Sequence, residues 1–167
     1  MATLAVGAHA RAAGTLTPGS GALAPPLALR AIDGRDVDLA EFRGRTVLVN
    51  FWATGCAPCV IEMPSLDRLR ERLQPLGLEV LGVNLKENAA RIRPFAEERL
   101  LGFPIVRDHD GAASAAWNVR VFPTSFVIDS EQRVALVAVG EIDWDRPDTE
   151  TLVRSIIGSR AAAAPSR

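Results

Sequence analysis

The stretch from Thr46 to Ala53 (TVLVNFWA) constrains this chain more than any other. It is an almost continuous apolar, β-rich run between Gly44 and Gly55, which is how a strand buried on both faces reads. Such a strand needs a layer above it and a layer below it. The period changes soon afterwards. Val60, Met63, Leu66, Leu69 and Leu73 recur at three-to-four spacing, with Glu62, Asp67, Arg68, Arg70, Glu71 and Arg72 between them. That pattern predicts an amphipathic helix ending near Gly77, kinked at Pro64. Between strand and helix lies Gly55-Cys56-Ala57-Pro58-Cys59, which holds both cysteines of the chain.

The rest of the body alternates in the same way. Leu27–Arg30 and Val37 with Leu39 read as short extended pieces around an Asp33-Gly34 turn. Leu78–Leu85 is a second buried strand, and Asn88–Leu101 a helix irregular around Pro94. Pro104–Val106 is extended and Ala112–Trp117 is a short helix. Thr124–Asp129 and Arg133–Val139 form a strand pair, and Asp148–Ile157 a closing helix. The expected architecture is an α/β fold with a central mixed sheet flanked by helices.

Size fits one such domain: 167 residues, 48% hydrophobic and 23% charged, can bury a full core without staples. The domain is expected over residues 25–159. Residues 1–24, rich in Ala and Gly, read as a disordered leader or linker, and residues 160–167 as a disordered tail. Ala2–Ala8 would serve as a short apolar leader segment, with Ala10-Arg11-Ala12 as its cleavage site. No run of 18 apolar residues occurs, so no transmembrane segment is expected in this chain. A net charge of −1 argues against a phosphate-tracking nucleic-acid binder.

The dithiol carries the chemistry. A helix N-terminus offers unpaired N–H groups and the positive end of the dipole, which favour thiolate over thiol. Cys56, at the cap, is therefore the expected nucleophile, and Cys59, one turn inside, the shielded resolving thiol. Pro58 suits the first turn because it lacks an N–H that would have no partner there. A zinc site is the competing use of paired cysteines. It fails on inventory, since no third cysteine exists and the histidines, His9 and His109, lie in the leader and a loop. No metal and no cofactor beyond the redox-active Cys56–Cys59 disulfide is expected.

Val47–Ala53, Cys56-Ala57-Pro58-Cys59, Glu62, Pro64 and Phe122-Pro123-Thr124 before Phe126–Asp129 together resemble the TlpA/ResA-like thioredoxin family. Gly140–Asp145 (GEIDWD) resembles the TlpA branch of it. The resemblance implies a thioredoxin-like fold over about Pro25–Ser159 and an exported thiol–disulfide oxidoreductase. Reduction of protein disulfides in cytochrome or copper-site biogenesis is the implied task. Partners would be disulfide-bearing protein substrates and a membrane thiol electron donor, for a monomer in the periplasm or another extracytoplasmic space.

The resemblance also assigns residues. Pro123 matches a cis-proline that faces the dithiol and presents backbone to substrate. Phe122 is then a substrate-facing side chain, or equally a core aromatic. Glu62, three residues after Cys59 on the same helix face, takes the Cys59 proton; the plainer alternative is a solvated surface glutamate. Asn50 stands where ordinary thioredoxins have a buried aspartate, and it cannot titrate. Trp52 and Phe51 are expected to pack beside the site. Gly55 departs from the family's usual Trp and opens the rim of the dithiol.

Two other functions on this fold remain as alternatives. A thiol peroxidase would need Thr or Ser three residues before its reactive cysteine, where Ala53 stands. A copper-delivery module would need a His or Met beside the dithiol, and Met63 sits in the helix's apolar stripe.

Overall fold

The computed structural model describes residues 14–163, with side chains to residue 158. Among them, one sheet is built from β1 (Leu16–Pro18), β2 (Ala28–Ala31), β3 (Asp36–Asp38), β4 (Thr46–Trp52), β5 (Leu78–Leu85), β6 (Ile105–Asp108), β7 (Thr124–Ile128) and β8 (Val134–Val139). The helices are α1 (Ala57–Leu73), α2 (Ala89–Glu98), α3 (Ala112–Ala116) and α4 (Pro147–Ala163). The strand order is β1-β8-β7-β4-β5-β6-β2-β3. β4, β5 and β6 run parallel, and the other pairings are antiparallel. The expected mixed sheet flanked by helices is therefore present.

β4 is buried along its whole length, between β5 and β7. Its pleat divides the core in two. Leu48 and Trp52 join Cys59, Met63, Leu66, Leu69 and Leu73 of α1, Ile92 and Ala96 of α2 and Val153 of α4 on one face. Val47, Val49 and Phe51 join Leu81, Val83, Val106 and Trp117 on the other. Asn50, between Leu48 and Trp52 in the alternation, therefore looks toward α1. The alternation of β4 thus aims one polar side chain at the helix that begins with the dithiol.

α1 starts three residues earlier than its apolar stripe, at Ala57, and continues through Pro64, which gives up one backbone N–H there. A 3-10 turn over Gln74–Leu76 extends it to Gly77, whose φ of 104° is the left-handed closing conformation that suits glycine.

Three boundaries differ from the sequence expectation. Leu39 does not continue the strand; it starts a 3-10 turn over Leu39–Phe42, capped by Asp38, whose Oδ1 accepts from the Ala40 N–H at 2.9 Å. Residues 14–24 are not linker. β1 pairs with β8, and the Gly19, Gly21 and Ala24 N–H groups donate to Ala135, Val134 and Gln132. This segment covers what would otherwise be the open edge of β8. It does so mostly with backbone, in a strand of three residues, too short for side-chain periodicity to announce it. Glycine is required for the approach: a Cβ on Gly14 would lie 2.8 Å from the Gly140 carbonyl oxygen, and one on Gly19 would strike the Val134 backbone. At the other end α4 runs to Ala163, past the expected domain limit. The expected leader segment with its cleavage site, and residues 164–167, lie outside the described residues.

Candidate active site

Four residues separate the end of β4 from the start of α1. Ala53 to Cys56 closes as a turn, with the Cys56 N–H donating to the Ala53 carbonyl at 3.2 Å. Cys56 has extended backbone, caps α1 and accepts from the Cys59 N–H through its Sγ at 3.3 Å. The sulfur thus occupies an anion-favouring helix terminus, with Pro58 in the first turn. Cys56 and Cys59 are joined in a disulfide, with Cα atoms 5.3 Å apart. Their surroundings differ sharply: Cys56 is half-buried, whereas Cys59 is only 1% exposed. Gly55 and Ala57 are exposed on the rim, and nothing lies within 4 Å of where a Gly55 Cβ would point.

Glu62 is 2% exposed, so it is not a solvated surface residue. Its Oε1 accepts from Asn50 Nδ2 at 2.8 Å and its Oε2 from the Ile142 N–H at 2.8 Å. Asn50 Nδ2 also donates to Ser125 Oγ at 2.9 Å. Burial pushes the Glu62 carboxyl up to about 7, with the neighbouring Glu141 carboxylate adding to the rise. The Ile142 and Asn50 donors pull the other way and lose. Next to it, Ser65 Oγ donates to the Glu62 carbonyl and accepts from the Trp144 N–H. The Gly140–Asp145 block therefore closes over the carboxylate, and Arg68 and Arg72 of α1 hold it there through Asp145.

The Phe122–Pro123 bond is cis. Thr124, the next residue, pairs with Phe51 near the end of β4, so Pro123 sits at the same end of the sheet as the dithiol. The Pro123 carbonyl accepts from the Gly140 N–H at 2.8 Å. Phe122 is half-buried and packs against both halves of the core, so it is at once a core aromatic and partly accessible. Trp52 is fully buried and packs on Phe95 at a centroid distance of 5.2 Å. Phe51 is likewise buried, against Trp117 and Phe126. Met63 is 1% exposed in the core beside α1. No cluster of three or more His, Cys, Asp or Glu side chains with metal-binding geometry occurs among the described residues.

Sequence reasoning missed Ser125, the Ile142 N–H and a second polar cluster at Thr54, Asn84, Glu87 and Arg91. Ser125 and Ile142 reach the site only through the β4–β7 pairing and the wrap of residues 140–145. No spacing signal marks them.

A dithiol at a helix N-terminus, set at the end of a mixed sheet beside a cis-proline, defines a thioredoxin fold built for sulfur exchange. Comparison with known proteins agrees. The AhpC/TSA family model matches residues 20–137. Thiol-disulfide oxidoreductase ResA of Geobacillus thermodenitrificans is 38% identical over 120 residues, which cover 72% of this chain and 69% of that protein. A Chlorobium tepidum structure, described as a candidate thiol:disulfide interchange protein DsbE, superimposes with a TM-score of 0.78 at 28% identity. That match covers 85% of this chain and 100% of the other. A secreted thiol-disulfide isomerase from Corynebacterium glutamicum has a TM-score of 0.73 at 26% identity, covering 80% of this chain and 84% of its own. The chain belongs to the AhpC/TSA family and, within it, to the ResA-like thiol–disulfide oxidoreductases.

Proposed function

We propose that this protein reduces protein disulfides outside the cytoplasm, of the kind found in cytochrome or copper-site apoproteins. The Cys56 thiolate attacks one sulfur of the substrate disulfide, forming a mixed disulfide and releasing one substrate thiolate. Cys59 gives its proton to Glu62 and attacks Cys56 Sγ. That step expels the second substrate thiolate and leaves the Cys56–Cys59 disulfide, so two electrons pass to the substrate. Phe122 and Pro123 border the approach to Cys56 and bind the substrate backbone. A membrane thiol donor re-reduces the pair, and the protein works as a monomer without a further cofactor.

One observation carries this reading: accessibility and acid–base environment divide cleanly between the two sulfurs. Cys56 is the reachable sulfur on the helix terminus. Cys59 is 1% exposed and lies one helical turn before a buried carboxyl poised near 7. A proton acceptor tuned close to ambient pH is what the resolving step requires. The extracytoplasmic setting draws support from the secreted Corynebacterium relative.

The direction of electron flow is tested by the reduction potential of the Cys56–Cys59 couple, equilibrated in a dithiothreitol or glutathione buffer. A value of roughly −270 mV or lower is expected for a reductant. A value near roughly −120 mV would assign disulfide formation instead.

A further inference from the structure

The loop that carries Cys56 has few contacts of its own. Gly55 has no side chain and no neighbour within 4 Å of its Cβ direction, and the turn from Ala53 to Cys56 is closed by one backbone bond. Thr54, in the middle of that turn, is nevertheless fully engaged. Its backbone N–H donates to Glu87 Oε2 at 2.8 Å and its hydroxyl to Glu87 Oε1 at 2.5 Å. Glu87 lies on the loop between β5 and α2, 33 residues away in sequence. Two further donors fix the carboxylate itself. Asn84 Nδ2, at the end of β5 and fully buried, reaches Oε2 at 2.7 Å. Arg91, in the first turn of α2, reaches Oε1 and Thr54 Oγ1 through Nε, both at 2.9 Å.

We propose that Glu87 is a positioning residue for the nucleophile: it clamps Thr54, and through it sets Cys56 on the N-terminus of α1. Both Glu87 oxygens are committed to the turn, and each is also held by a donor from a rigid element. The clamp therefore ties the dithiol loop to β5 and α2, alongside the direct bond from Arg91 Nε to Thr54 Oγ1. Partial burial of Glu87 raises its pKa, but the Thr54, Asn84 and Arg91 donors outweigh that and hold it below its ordinary value. The same donors favour the ionised form of the clamp. Charge-assisted bonds of this kind are the stronger class, and two of them converge on one residue, Thr54. Where Gly55 leaves the backbone free to swing, Glu87 supplies the missing restraint.

The consequence is specific to the sulfur. The thiolate gains from the helix terminus only while Sγ stays over the Cys59 N–H, and that benefit falls off within one turn. Releasing Thr54 lets Cys56 leave the cap, so its thiol becomes less acidic. This inference rests on Cys56 being the attacking thiolate, but its test needs no substrate and no assumption about electron direction.

The experiment titrates Cys56 in the reduced protein by the pH dependence of its iodoacetamide alkylation rate, in wild type, Glu87→Ala, Glu87→Gln and Thr54→Val. Glu87→Ala is expected to raise the Cys56 midpoint by roughly half to one unit. Glu87→Gln keeps one acceptor oxygen and should recover part of that shift. Thr54→Val keeps the backbone donor and should shift the midpoint by less, in the same direction. The double variant Thr54→Val with Glu87→Ala should be no worse than Glu87→Ala alone, because the two act as one unit. Unchanged midpoints alongside a lowered melting temperature would overturn the proposal and leave Glu87 a structural tie between loops. Should Glu87→Ala not fold, the Glu87→Gln and Thr54→Val midpoints decide in the same way.

Discussion

Asn50 Nδ2 donates to Glu62 Oε1 at 2.8 Å, joining the middle of β4 to the second turn of α1 inside the core. Asn50 is 1% exposed and Glu62 2% exposed, so neither has bulk water to fall back on. An uncharged partner is what allows Glu62 to hold or release a proton there. A second carboxylate at Asn50 would compete for the same proton, and a cation would fix Glu62 in the ionised form.

Glu62→Gln should remove an acceptor from the resolving step. Steady-state exchange near neutral pH should fall by roughly tenfold or more, within the usual range for losing a general base. The ionisation near 7 should vanish from the pH–rate profile. A profile identical to wild type would show that Glu62 takes no proton in the cycle.

The same carboxyl makes a prediction about stability. Its folded pKa, about 7, lies above the ordinary 4.5. Between those values the folded state holds a proton that the unfolded chain has lost, so stability falls as pH rises. The stabilisation is complete below about pH 4.5 and gone above about pH 7, and amounts to roughly 3 kcal/mol. Denaturant titrations of oxidised wild type and Glu62→Gln at pH 4.5, 6 and 7.5 read this as a difference. The gap between the two should change with pH by that order. A constant gap would mean that the buried carboxyl does not titrate in this range.

Asn50→Asp should place two carboxyl groups on one proton. The apparent midpoint of the pH–rate profile is expected to rise by roughly one unit or more, the usual result for paired carboxylates. Asn50→Leu, which removes the donor without adding charge, should cost about 1–3 kcal/mol of stability for the unpaired Glu62 oxygen. Rates measured across pH on Asn50→Asp, and urea midpoints for Asn50→Leu, check both.

The part of this site legible in the sequence is the part encoded locally. The strand–helix switch at Cys56, the helical offset from Cys59 to Glu62 and the alternation of β4 are all short-range patterns, and each element fell within a few residues of its expected place. A partly buried Glu62 is expected only through the family resemblance and its place on the Cys59 face of the helix; the residues around it do not show what covers it. Only the wrap of Gly140–Asp145, fixed some 80 residues downstream by Ile142 on Glu62, takes it out of water. Glu87 was invisible for a similar reason: its partners Thr54 and Asn84 meet it through the parallel β4–β5 register. The Gly- and Ala-rich start of the chain hid β1 because it is only three residues long and pairs mostly through backbone.

Gly55→Trp should be tolerated by the fold, since the Cβ direction is open and the residue is exposed. Stability should stay within about 0.5 kcal/mol, as for other surface changes. The bulky ring should slow exchange with large protein disulfides several-fold more than with a small aromatic disulfide. Equal slowing of both would mean that the open rim has no part in substrate choice.

The most direct test of the account is to trap the intermediate with single-cysteine variants and a disulfide-bonded protein substrate, analysed on non-reducing gels and by peptide mapping. Cys59→Ser should accumulate a stable mixed disulfide through Cys56, because the resolving thiol is gone. Cys56→Ser should accumulate little, since Cys59 is 1% exposed. Adducts forming through Cys59 in Cys56→Ser as readily as through Cys56 in Cys59→Ser would contradict the division of labour between the two sulfurs.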